Sequence, residues 1–373
     1  MVKLVKKIVS IITVVLVTSS IGLTSLPSYE VKADTTIPIN ESGAESNNIL
    51  SSITSEEVKT DETTDYSLTT NVKDGVILHA WCWSFNTIKA NLKDIAEAGY
   101  STIQTSPANR CNDSQSGMQI KGEYGAWYWQ YQPTDFTIGN YQIGSKEDFK
   151  SLCEEAHKYG IKIIVDVLPN HTSGDGYQVS QELINSAGGW DNLYHGNGFN
   201  GIKDHGDRAQ CTTGQLKGLF DINTENPAFQ AYYLKFANDL IDCGADGLRY
   251  DAAKHIGLPS DPLDSKTKEN GWKNNFWSVA TGKEAANGVT LKNADKLFIY
   301  GEVIQGSKNI INEYATYMGL CADVYGGVIR TAVYSKNVSV ANISSYKYAV
   351  DPSKLVTWVE SHDNYCTFED SVG

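Results

Sequence analysis

The sequence predicts an α/β fold in which helices cover a parallel sheet. Three observations lead to this prediction: the strand-like runs are short and almost wholly apolar, they alternate with helix-like stretches, and glycine or proline marks many of their ends. Apolar runs of this kind are typical of parallel strands, because crossover helices bury them on both faces. A chain of 373 residues is long enough to bury a large core around such a sheet.

The predicted elements alternate along the first part of the folded region. They are residues 76–80 (strand), 86–98 (helix), 102–105 (strand), 146–159 (helix) and 161–167 (strand). Gly99 and Gly160 follow the two helices, as expected at helix C-termini. Residues 108–145 show no clear period, and we interpret them as a long loop.

A second irregular segment interrupts the alternation. Residues 170–226 are rich in Gly, Asn and Asp, and because a structureless loop of this length is unusual, we predict a small inserted domain. The alternation then resumes at residues 227–243 (helix), 247–251 (strand), 272–280 (helix), 297–302 (strand), 308–316 (helix), 321–324 (weak strand), 338–346 (helix) and 355–359 (strand). The total of seven strands is one fewer than a closed eight-stranded barrel requires.

The N-terminus has the pattern of an export signal. Lysines precede an apolar run at residues 8–17 that is too short to span a bilayer comfortably, and residues 31–33 fit a cleavage site. Residues 1–33 are therefore predicted to be the signal peptide of a secreted, extracellular protein, with a retained membrane anchor as the alternative. Residues 34–74, rich in Ser, Thr, Glu and Asn, are predicted to be a flexible leader.

The net charge and the cysteine content argue against nucleic-acid binding and against a framework of disulfides or cysteine-bound metal. A formal charge of −13 argues against nucleic acid as a partner, since binding a polyanion requires a basic surface. The seven cysteines are odd in number and lack the spacing of a metal site, so we expect no essential disulfide framework. Cys153 and Cys243 lie in helix-like stretches and are expected to be buried.

Carboxylates stand at the ends of several predicted strands. Asp251 ends one strand, and Arg249 points to the same face, so its guanidinium favours an ionised carboxylate. This arrangement suits a nucleophile in sugar chemistry, although a structural ion pair would have the same sequence. Asp166 and Glu302 occupy equivalent positions on other strands. Because a parallel barrel gathers the C-terminal ends of its strands around one mouth, we expect a common active site there.

Four motifs at these strand ends resemble the signature regions of the α-amylase family of glycoside hydrolases. In chain order they are Val165–His171, Gly247–His255, Gly301–Val303 and Val359–Asp363. Their order and spacing together are specific. Residues 77–109 and 127–140 further resemble the bacillus-type saccharifying secreted α-amylases, and the resemblance covers about residues 75–366.

The resemblance implies a (β/α)₈ TIM barrel over residues 75–373, with a B domain inserted between strand three and helix three at about residues 171–226. It implies retaining endo-hydrolysis of α-1,4-glucosidic bonds in starch and related glucans, through a covalent glycosyl-enzyme intermediate. Carried over by motif, Asp251 resembles the nucleophile, Glu302 the general acid/base and Asp363 the third carboxylate. A drier setting near Asp363 would keep the proton on Glu302.

The same resemblance implies a set of residues that bind the substrate. They are Trp127, Tyr128, Tyr131, Gln132, His171, Arg249, Lys254, His255 and His362. The aromatic members can lie against sugar faces, and the polar members can bond sugar hydroxyls. Asp166 matches a further supporting position of the family.

A structural Ca²⁺ between the barrel and the B domain is implied in the same way. The side chains of Asn170 and Asp221, and the backbone oxygens of Thr212 and His255, match its ligands. Hard oxygen ligands from separate segments suit Ca²⁺. Taken alone, Asp221 could equally cap a turn or helix.

Three other functions share part of this pattern. A transglycosylase or α-glucosidase of the same family would use the same acids, whereas a non-catalytic glucan-binding protein would not need all three. A metal-dependent barrel hydrolase would favour a close ligand pair such as His-x-x-x-His, which the sequence lacks. The expected partners are starch and α-1,4-glucan oligosaccharides, and we expect a monomer without a stable membrane anchor.

The C-terminus leads to one further expectation. The chain stops at Gly373, ten residues after Asp363, with seven strands predicted. Strand eight and the C-terminal β-sandwich of the family would then be missing. We therefore expect residues 1–373 to be a fragment of a longer enzyme, with open sheet edges that make it poorly soluble and weakly active on starch.

Overall fold

A parallel sheet of seven strands forms the centre of the fold, and its strands neighbour one another in the order in which they occur along the chain. They are β1 (Ile77–Ala80), β2 (Thr102–Thr105), β3 (Lys162–Val167), β4 (Gly247–Tyr250), β5 (Phe298–Gly301), β6 (Gly319–Ala322) and β7 (Leu355–Thr357). Every pairing between them is parallel. The predicted parallel sheet is therefore confirmed, and strands wound in chain order are the arrangement of a barrel wall.

The computed structural model describes residues 65–113, 127–174, 176, 178–304, 307–337, 339, 350–358 and 361–363. All of them belong to one unit of contacts, Thr60–Gly373. The predicted signal peptide, and the predicted leader up to residue 64, lie outside the described residues. Within the described part of the chain, no helix is both long enough and apolar enough to cross a membrane.

The α-helices of the described residues mostly connect the strands. They are α1 (Phe85–Ala90), α2 (Leu92–Glu97), α3 (Lys146–Lys158), α4 (Gln181–Ser186), α5 (Trp190–Leu193), α6 (Arg208–Thr213), α7 (Pro227–Asp242), α8 (Ser265–Glu269), α9 (Phe276–Ala280), α10 (Lys308–Ala315) and α11 (Asp323–Tyr334). Local chemistry accounts for their starts: Ser145 and Asp148 form a capping box on α3, and Asn226 caps α7 just before its first residue, Pro227. Cys153 in α3 and Cys243 after α7 are buried, as predicted.

The predicted helix at residues 86–98 is instead two helices that meet at Asn91. The side chain of Asn91 donates a hydrogen bond of 2.7 Å to the carbonyl oxygen of Thr87. Such a side-chain bond competes with the backbone pattern of a continuing helix, and it explains the break.

The region around the sixth strand also differs from the prediction. The weak strand predicted at residues 321–324 ends at Ala322, and Asp323 begins α11, which the sequence analysis did not predict. The helix predicted at residues 338–346 lies outside the described residues, apart from residue 339.

Residues 108–145 are not the long loop that the sequence led us to expect. They include an antiparallel sheet of Asn109–Cys111, Pro133–Asn140 and Gly144–Ser145, and a 3₁₀-helix at Trp127–Tyr131. The first two strands are separated by more than twenty residues along the chain, so the sequence contains no short-range hairpin signal for their pairing.

The segment between β3 and α7 interrupts the α/β alternation, as predicted. It contains the antiparallel pair His171–Thr172 and Phe220–Asp221, together with the short helices α4, α5 and α6. Its treatment as a separate B domain stays a prediction.

The strand register places the functional side chains. Asp166 on β3 and Tyr300 on β5 are both paired with Arg249 on β4, so the three residues form one row across the sheet. Paired residues of neighbouring strands point to the same face. Arg249 is therefore aligned with Asp166 by the sheet itself.

Candidate active site

Arg249 is the centre of the site, with 5% of its surface exposed. Its Nη1 donates to both oxygens of Asp166 at 2.8 and 2.9 Å, and to Oδ1 of Asp251 at 2.7 Å. Its Nη2 donates to Oε2 of Glu302 at 2.7 Å. One buried guanidinium therefore holds three carboxylates from three neighbouring strand ends. An ordinary structural ion pair needs only one carboxylate.

The backbone after β4 is shaped around Glu302. Ala252, directly after Asp251, has a φ of 49°, in the left-handed region that costs energy for a residue with a Cβ. In this conformation its N–H donates to Oε2 of Glu302 at 3.3 Å, while the N–H of Lys254 donates to the carbonyl oxygen of Glu302 at 3.2 Å. The turn between Asp251 and Lys254 thus fixes Glu302 through both its side chain and its backbone.

Asp363 and His362 complete the acid cluster from beyond β7. Nε2 of His362 lies 3.6 Å from Oδ1 of Asp363, and the His362 ring stacks on Tyr131 with centroids 5.0 Å apart. Burial, together with the Glu302 carboxylate, raises the pKa of Asp363 to about 6. Burial also lowers the pKa of His362 to about 3, so this imidazole is neutral near pH 7.

The pKa shifts in the free site run against the protonation states expected from the sequence. Burial and the charges of Glu302 and Asp166 raise the pKa of Asp251 well above its usual value, although Arg249 opposes this effect. Burial alone would raise the pKa of Glu302, but Arg249 and the Ala252 amide hold it below its ordinary value. Arg249 contacts both carboxylates at 2.7 Å, and the Ala252 N–H adds a further hydrogen bond to Glu302 at 3.3 Å. Asp251 and Glu302 therefore titrate as a coupled pair.

All three predicted catalytic residues and all nine predicted substrate-binding residues line one cavity. Its aromatic wall contains Trp127, whose ring lies 5.7 Å from Tyr131 and 5.6 Å from His362. Tyr128 is 49% exposed and presents its ring to solvent. Oη of Tyr131 donates to Oδ2 of Asp166 at 3.0 Å, which joins the wall to the acid cluster.

Several predicted substrate-binding side chains are held by protein groups. Nε2 of His171 donates to the carbonyl oxygen of Tyr131 at 3.0 Å, and burial lowers the His171 pKa to about 4. Oε1 of Gln132 accepts a hydrogen bond of 2.8 Å from the side chain of Asn112. By contrast, Nδ1 of His362 is buried without a hydrogen-bond partner among the described residues.

Two residues that pack against this wall were not predicted from the sequence. Trp81, which follows β1, packs edge-on against Trp127 at 5.6 Å and tilts over His362 at 6.3 Å. His79 lies in β1, with its ring 5.3 Å from that of His362. Both lie near the C-terminal end of β1, and this position in the sequence is the feature from which they could have been predicted.

The residues predicted to bind Ca²⁺ come together in two pairs. Asn170 lies beside Asp221, because the Ile222 N–H donates to the Asn170 carbonyl oxygen at 2.9 Å and the adjoining short strands pair. Thr212 in α6 lies beside His255, whose Nδ1 donates to the Cys211 carbonyl oxygen at 2.9 Å.

One feature of Asp221 fits a cation. Its Oδ2 is 2.7 Å from Nδ1 of His195, whereas its Oδ1 is buried with no hydrogen-bond partner among the described residues. A buried carboxylate oxygen without a partner is costly, and a bound cation removes that cost. The oxygen-rich donor set suits Ca²⁺.

A buried ion triad that the sequence did not reveal supports Asp221. His195 is 1% exposed and lies between Asp221 and Glu225, with 2.7 Å from each ring nitrogen to a carboxylate oxygen. Burial alone would lower the pKa of His195, but Glu225 and Asp221 raise it to about 10. Burial raises the pKa of Asp221 to about 7.

Known proteins match this chain over most of its described length. The catalytic domain of the alpha-amylase family matches residues 85–367. The alpha-amylase of Butyrivibrio fibrisolvens is 45% identical over 324 residues, which are 82% of this chain and 33% of that protein. The alpha-amylase of Clostridium acetobutylicum is 39% identical over 298 residues, which are 79% of this chain and 36% of that protein. The chain thus spans about a third of the length of these two relatives.

Solved structures share the fold. A variant of alpha-amylase I from Eisenia fetida, in complex with maltohexaose, has a TM-score of 0.62 at 20% identity and matches 78% of this chain and 58% of its own. The alpha-amylase of Geobacillus thermoleovorans, in complex with acarbose, has a TM-score of 0.60 at 19% identity and matches 80% of this chain and 65% of its own. This likeness confirms the predicted (β/α)₈ fold class. From its family match and its identity to these relatives, the chain belongs to the alpha-amylase family.

Proposed function

We propose that the chain carries the catalytic groups of a secreted α-amylase, which cleaves internal α-1,4-glucosidic bonds of starch with retention of configuration. The observation that carries this proposal is the single guanidinium of Arg249 bound to Asp251 and Glu302 beside an aromatic wall. Relatives named alpha-amylase support it, as do structural neighbours that bind maltohexaose and acarbose.

In the first step, the carboxyl group of Glu302 gives its proton to the glycosidic oxygen, and the bond from that oxygen to C1 breaks. A carboxylate oxygen of Asp251 forms a bond to C1 from the opposite face, which yields a glycosyl ester and a free sugar chain. The step requires the two carboxyl groups in opposite protonation states.

Substrate binding favours the protonation states that this step requires. A glycosidic oxygen near Glu302 accepts hydrogen bonds and therefore favours the protonated form of that carboxyl group. With the proton on Glu302, this carboxyl group no longer makes a charge-assisted bond to Arg249. The guanidinium then stabilises the ionised Asp251 together with Asp166.

In the second step, the ionised Glu302 takes a proton from a water molecule, whose oxygen attacks C1 and releases Asp251. Inversion at each step gives net retention. Asp363 and His362 would face the sugar ring, on which positive charge develops in the transition state of each step. A hydrogen bond from neutral His362 to a hydroxyl, which strengthens as the ring flattens, lowers the barrier.

Calcium is part of the proposal in a structural role. Asn170 and Asp221 through side chains, and Thr212 and His255 through backbone oxygens, would hold the ion. When bound, the ion would neutralise the buried Asp221 oxygen and join the segment before α7 to the barrel. No chemical step depends on it.

Secretion is proposed from residues 1–33. If they are removed on export, the protein recovered from the culture medium begins near residue 34, and N-terminal sequencing tests this directly. Retention of the first 33 residues in a membrane fraction would favour the anchor instead.

The activity is tested by incubating the full-length protein with soluble starch. We expect reducing ends to appear together with a steep fall in starch chain length, and the new ends to have the α configuration when read early by NMR. Asp251→Asn serves as the inactive control. New ends in the β configuration would contradict the retaining mechanism, and glucose released only from chain ends would indicate an α-glucosidase.

A further inference from the structure

A second group of potential metal ligands lies at the edge of the active-site cavity. His205 precedes α6, Cys211 lies within α6, and His255 ends the 3₁₀-helix Ala253–His255 that follows β4. The three side chains can each present one ligand atom so that all three atoms lie within 4.8 Å of one another. We call these residues the His205–Cys211–His255 cluster.

The distances within the cluster are already short. Sγ of Cys211 lies 3.5 Å from Nδ1 of His255, a nitrogen that must give up its proton and its hydrogen bond to the Cys211 carbonyl oxygen before it can bind a metal. The rings of His205 and His255 meet edge to face with centroids 5.5 Å apart. Ligands of one tetrahedral zinc ion lie at about 2.0–2.3 Å from the metal, so ligand atoms within a few ångströms of one another need only small rotations to meet it.

Arg208 fixes the two elements that carry the cluster. Its guanidinium donates to both oxygens of Asp261 at 2.9 and 2.6 Å, to the Lys254 carbonyl oxygen at 2.9 Å and to the Tyr314 hydroxyl at 2.7 Å. These bonds tie α6 to the turn before His255. Nη1 of Arg208 also lies 3.6 Å from Sγ of Cys211, so the guanidinium touches one of the three ligand groups, and Asp261 balances its charge.

The ligand types select a metal class other than calcium. A thiolate and two imidazoles suit Zn²⁺ and similar borderline or soft ions, whereas Ca²⁺ requires oxygen ligands. Cys211 is buried, while His205 is exposed and gives the ion a way in from solvent. Three protein ligands leave the fourth tetrahedral position open to water.

We propose that the His205–Cys211–His255 cluster is a binding site for Zn²⁺ beside the active-site cavity. On binding, the Cys211 thiol releases one proton to solvent and its sulfur forms a bond to the metal. The site is separate from the proposed calcium site, which takes the backbone oxygen of His255 and not its imidazole. It uses a cysteine and a histidine, Cys211 and His205, that have no role in the proposed hydrolysis.

The position of the cluster gives zinc a functional consequence, which rests on the proposed function. His205, Lys254 and His255 line the same cavity as Glu302, and the Lys254 N–H bonds the Glu302 carbonyl oxygen at 3.2 Å. A zinc ion would withdraw the His255 imidazole from the leaving-group side of the cleft and place a cation there. We therefore expect reversible inhibition of starch hydrolysis by zinc.

Binding is tested with Co²⁺ and Zn²⁺ on the full-length protein, in saturating calcium so that the calcium site is filled. Co²⁺ should give a near-ultraviolet absorption band of cobalt bound to thiolate, and Zn²⁺ should remove it. Cys211→Ala should lack the band, whereas Cys243→Ala, a matched loss of a buried cysteine elsewhere, should keep it. No band in the parent, or a band that survives in Cys211→Ala, would overturn the proposal.

His205→Ala provides a variant whose folding is not in question, because this side chain is exposed. Loss of one ligand should weaken zinc binding by about tenfold or more, judged from the 10–100-fold cost of disturbing even outer-shell partners. Unchanged zinc affinity would overturn the site as well.

The inhibition is tested separately from binding. Zinc should slow starch hydrolysis by the parent and by Cys243→Ala, and chelation should restore the rate, while Cys211→Ala should resist zinc. Equal inhibition of Cys211→Ala would overturn the functional consequence. If the protein does not hydrolyse starch at all, the cobalt spectra still decide whether the metal site exists.

Discussion

Arg249 and Glu302 are joined by a hydrogen bond of 2.7 Å between Nη2 and Oε2, so the guanidinium that was expected to serve the nucleophile also binds the acid. This contact holds the pKa of Glu302 below its ordinary value, whereas at Asp251 burial and the neighbouring carboxylates outweigh Arg249 and raise the pKa. It makes the pair, and not either residue alone, the unit that titrates.

Asp251→Asn is expected to abolish hydrolysis and leave the fold intact. The amide keeps the shape of the side chain and can still accept a hydrogen bond from Arg249, but it cannot form the glycosyl ester. Loss of a nucleophile costs several orders of magnitude in rate. Starch turnover and circular dichroism of the variant check this. A native spectrum combined with a rate within about a hundredfold of the parent would remove Asp251 from the role of nucleophile.

Glu302→Gln is expected to fail in a different way. Without a proton donor, starch should react very slowly, whereas a glycoside with a good leaving group needs no protonation and should still form the ester on Asp251. The measurement is a burst of leaving group from an activated glycoside, with Asp251→Asn as the matched control that should show none. If Glu302→Gln reacts with the activated glycoside no faster than with starch, Glu302 is not the acid.

Most of the seven sheet strands, and the polar residues at their ends, were predictable because they are short apolar runs that stop at a polar residue. The sixth strand was predicted two residues too late in the chain, and the row of Asp166, Arg249 and Tyr300 depends on the strand register that the structure shows. Sequence therefore located the carboxylates well. It did not reveal that one guanidinium serves Asp251 and Glu302 equally, since that depends on a backbone turn in which Ala252 has a positive φ.

Two other features were not predicted because they depend on contacts between residues far apart in the sequence. His195, Asp221 and Glu225 form a triad only because the segment before α7 folds back on itself, and no local pattern marks it. Pairing of Asn109 with Ile138 likewise required long-range information. α11 was missed because Gly326 and Gly327 lower the helix propensity of its sequence.

Calcium is expected to stabilise the full-length protein, and Asp221→Asn should remove most of that effect. Added calcium raises the free energy of unfolding by about 2.7 kcal/mol at a hundredfold excess over the dissociation constant, and the melting temperature rises with it. The matched control is Glu225→Gln, which also removes a carboxylate from His195 but none of the predicted calcium ligands. It should melt at a lower temperature yet keep its response to calcium. Equal calcium responses in Asp221→Asn and the parent would rule the site out.

The His195 triad leads to a prediction about pH. The folded-state pKa of His195 is raised to about 10 from an ordinary 6.5, because Glu225 and Asp221 outweigh the effect of burial. The folded protein therefore binds a proton that the unfolded chain has lost between these values. The stabilisation is fully present below pH 6.5 and is lost as the pH rises toward 10. The pKa of Asp221 is raised to about 7 from 3.8, so its titration also lowers the stability as the pH rises, but over this lower pH range.

The free energy of unfolding should consequently fall between pH 6.5 and 10. The loss of the His195 contribution should account for a decrease on the order of a few kcal/mol, since one pKa unit corresponds to about 1.4 kcal/mol. His195→Gln should be less stable than the parent near pH 7, because two buried carboxylates lose their cation, and the difference should shrink toward pH 10. Urea unfolding at several pH values measures this. His157→Gln is the matched control, since His157 pairs with Asp246 at 2.8 Å near the surface, where such pairs contribute little. A constant difference between His195→Gln and the parent across this pH range would show that His195 is not protonated in the folded protein.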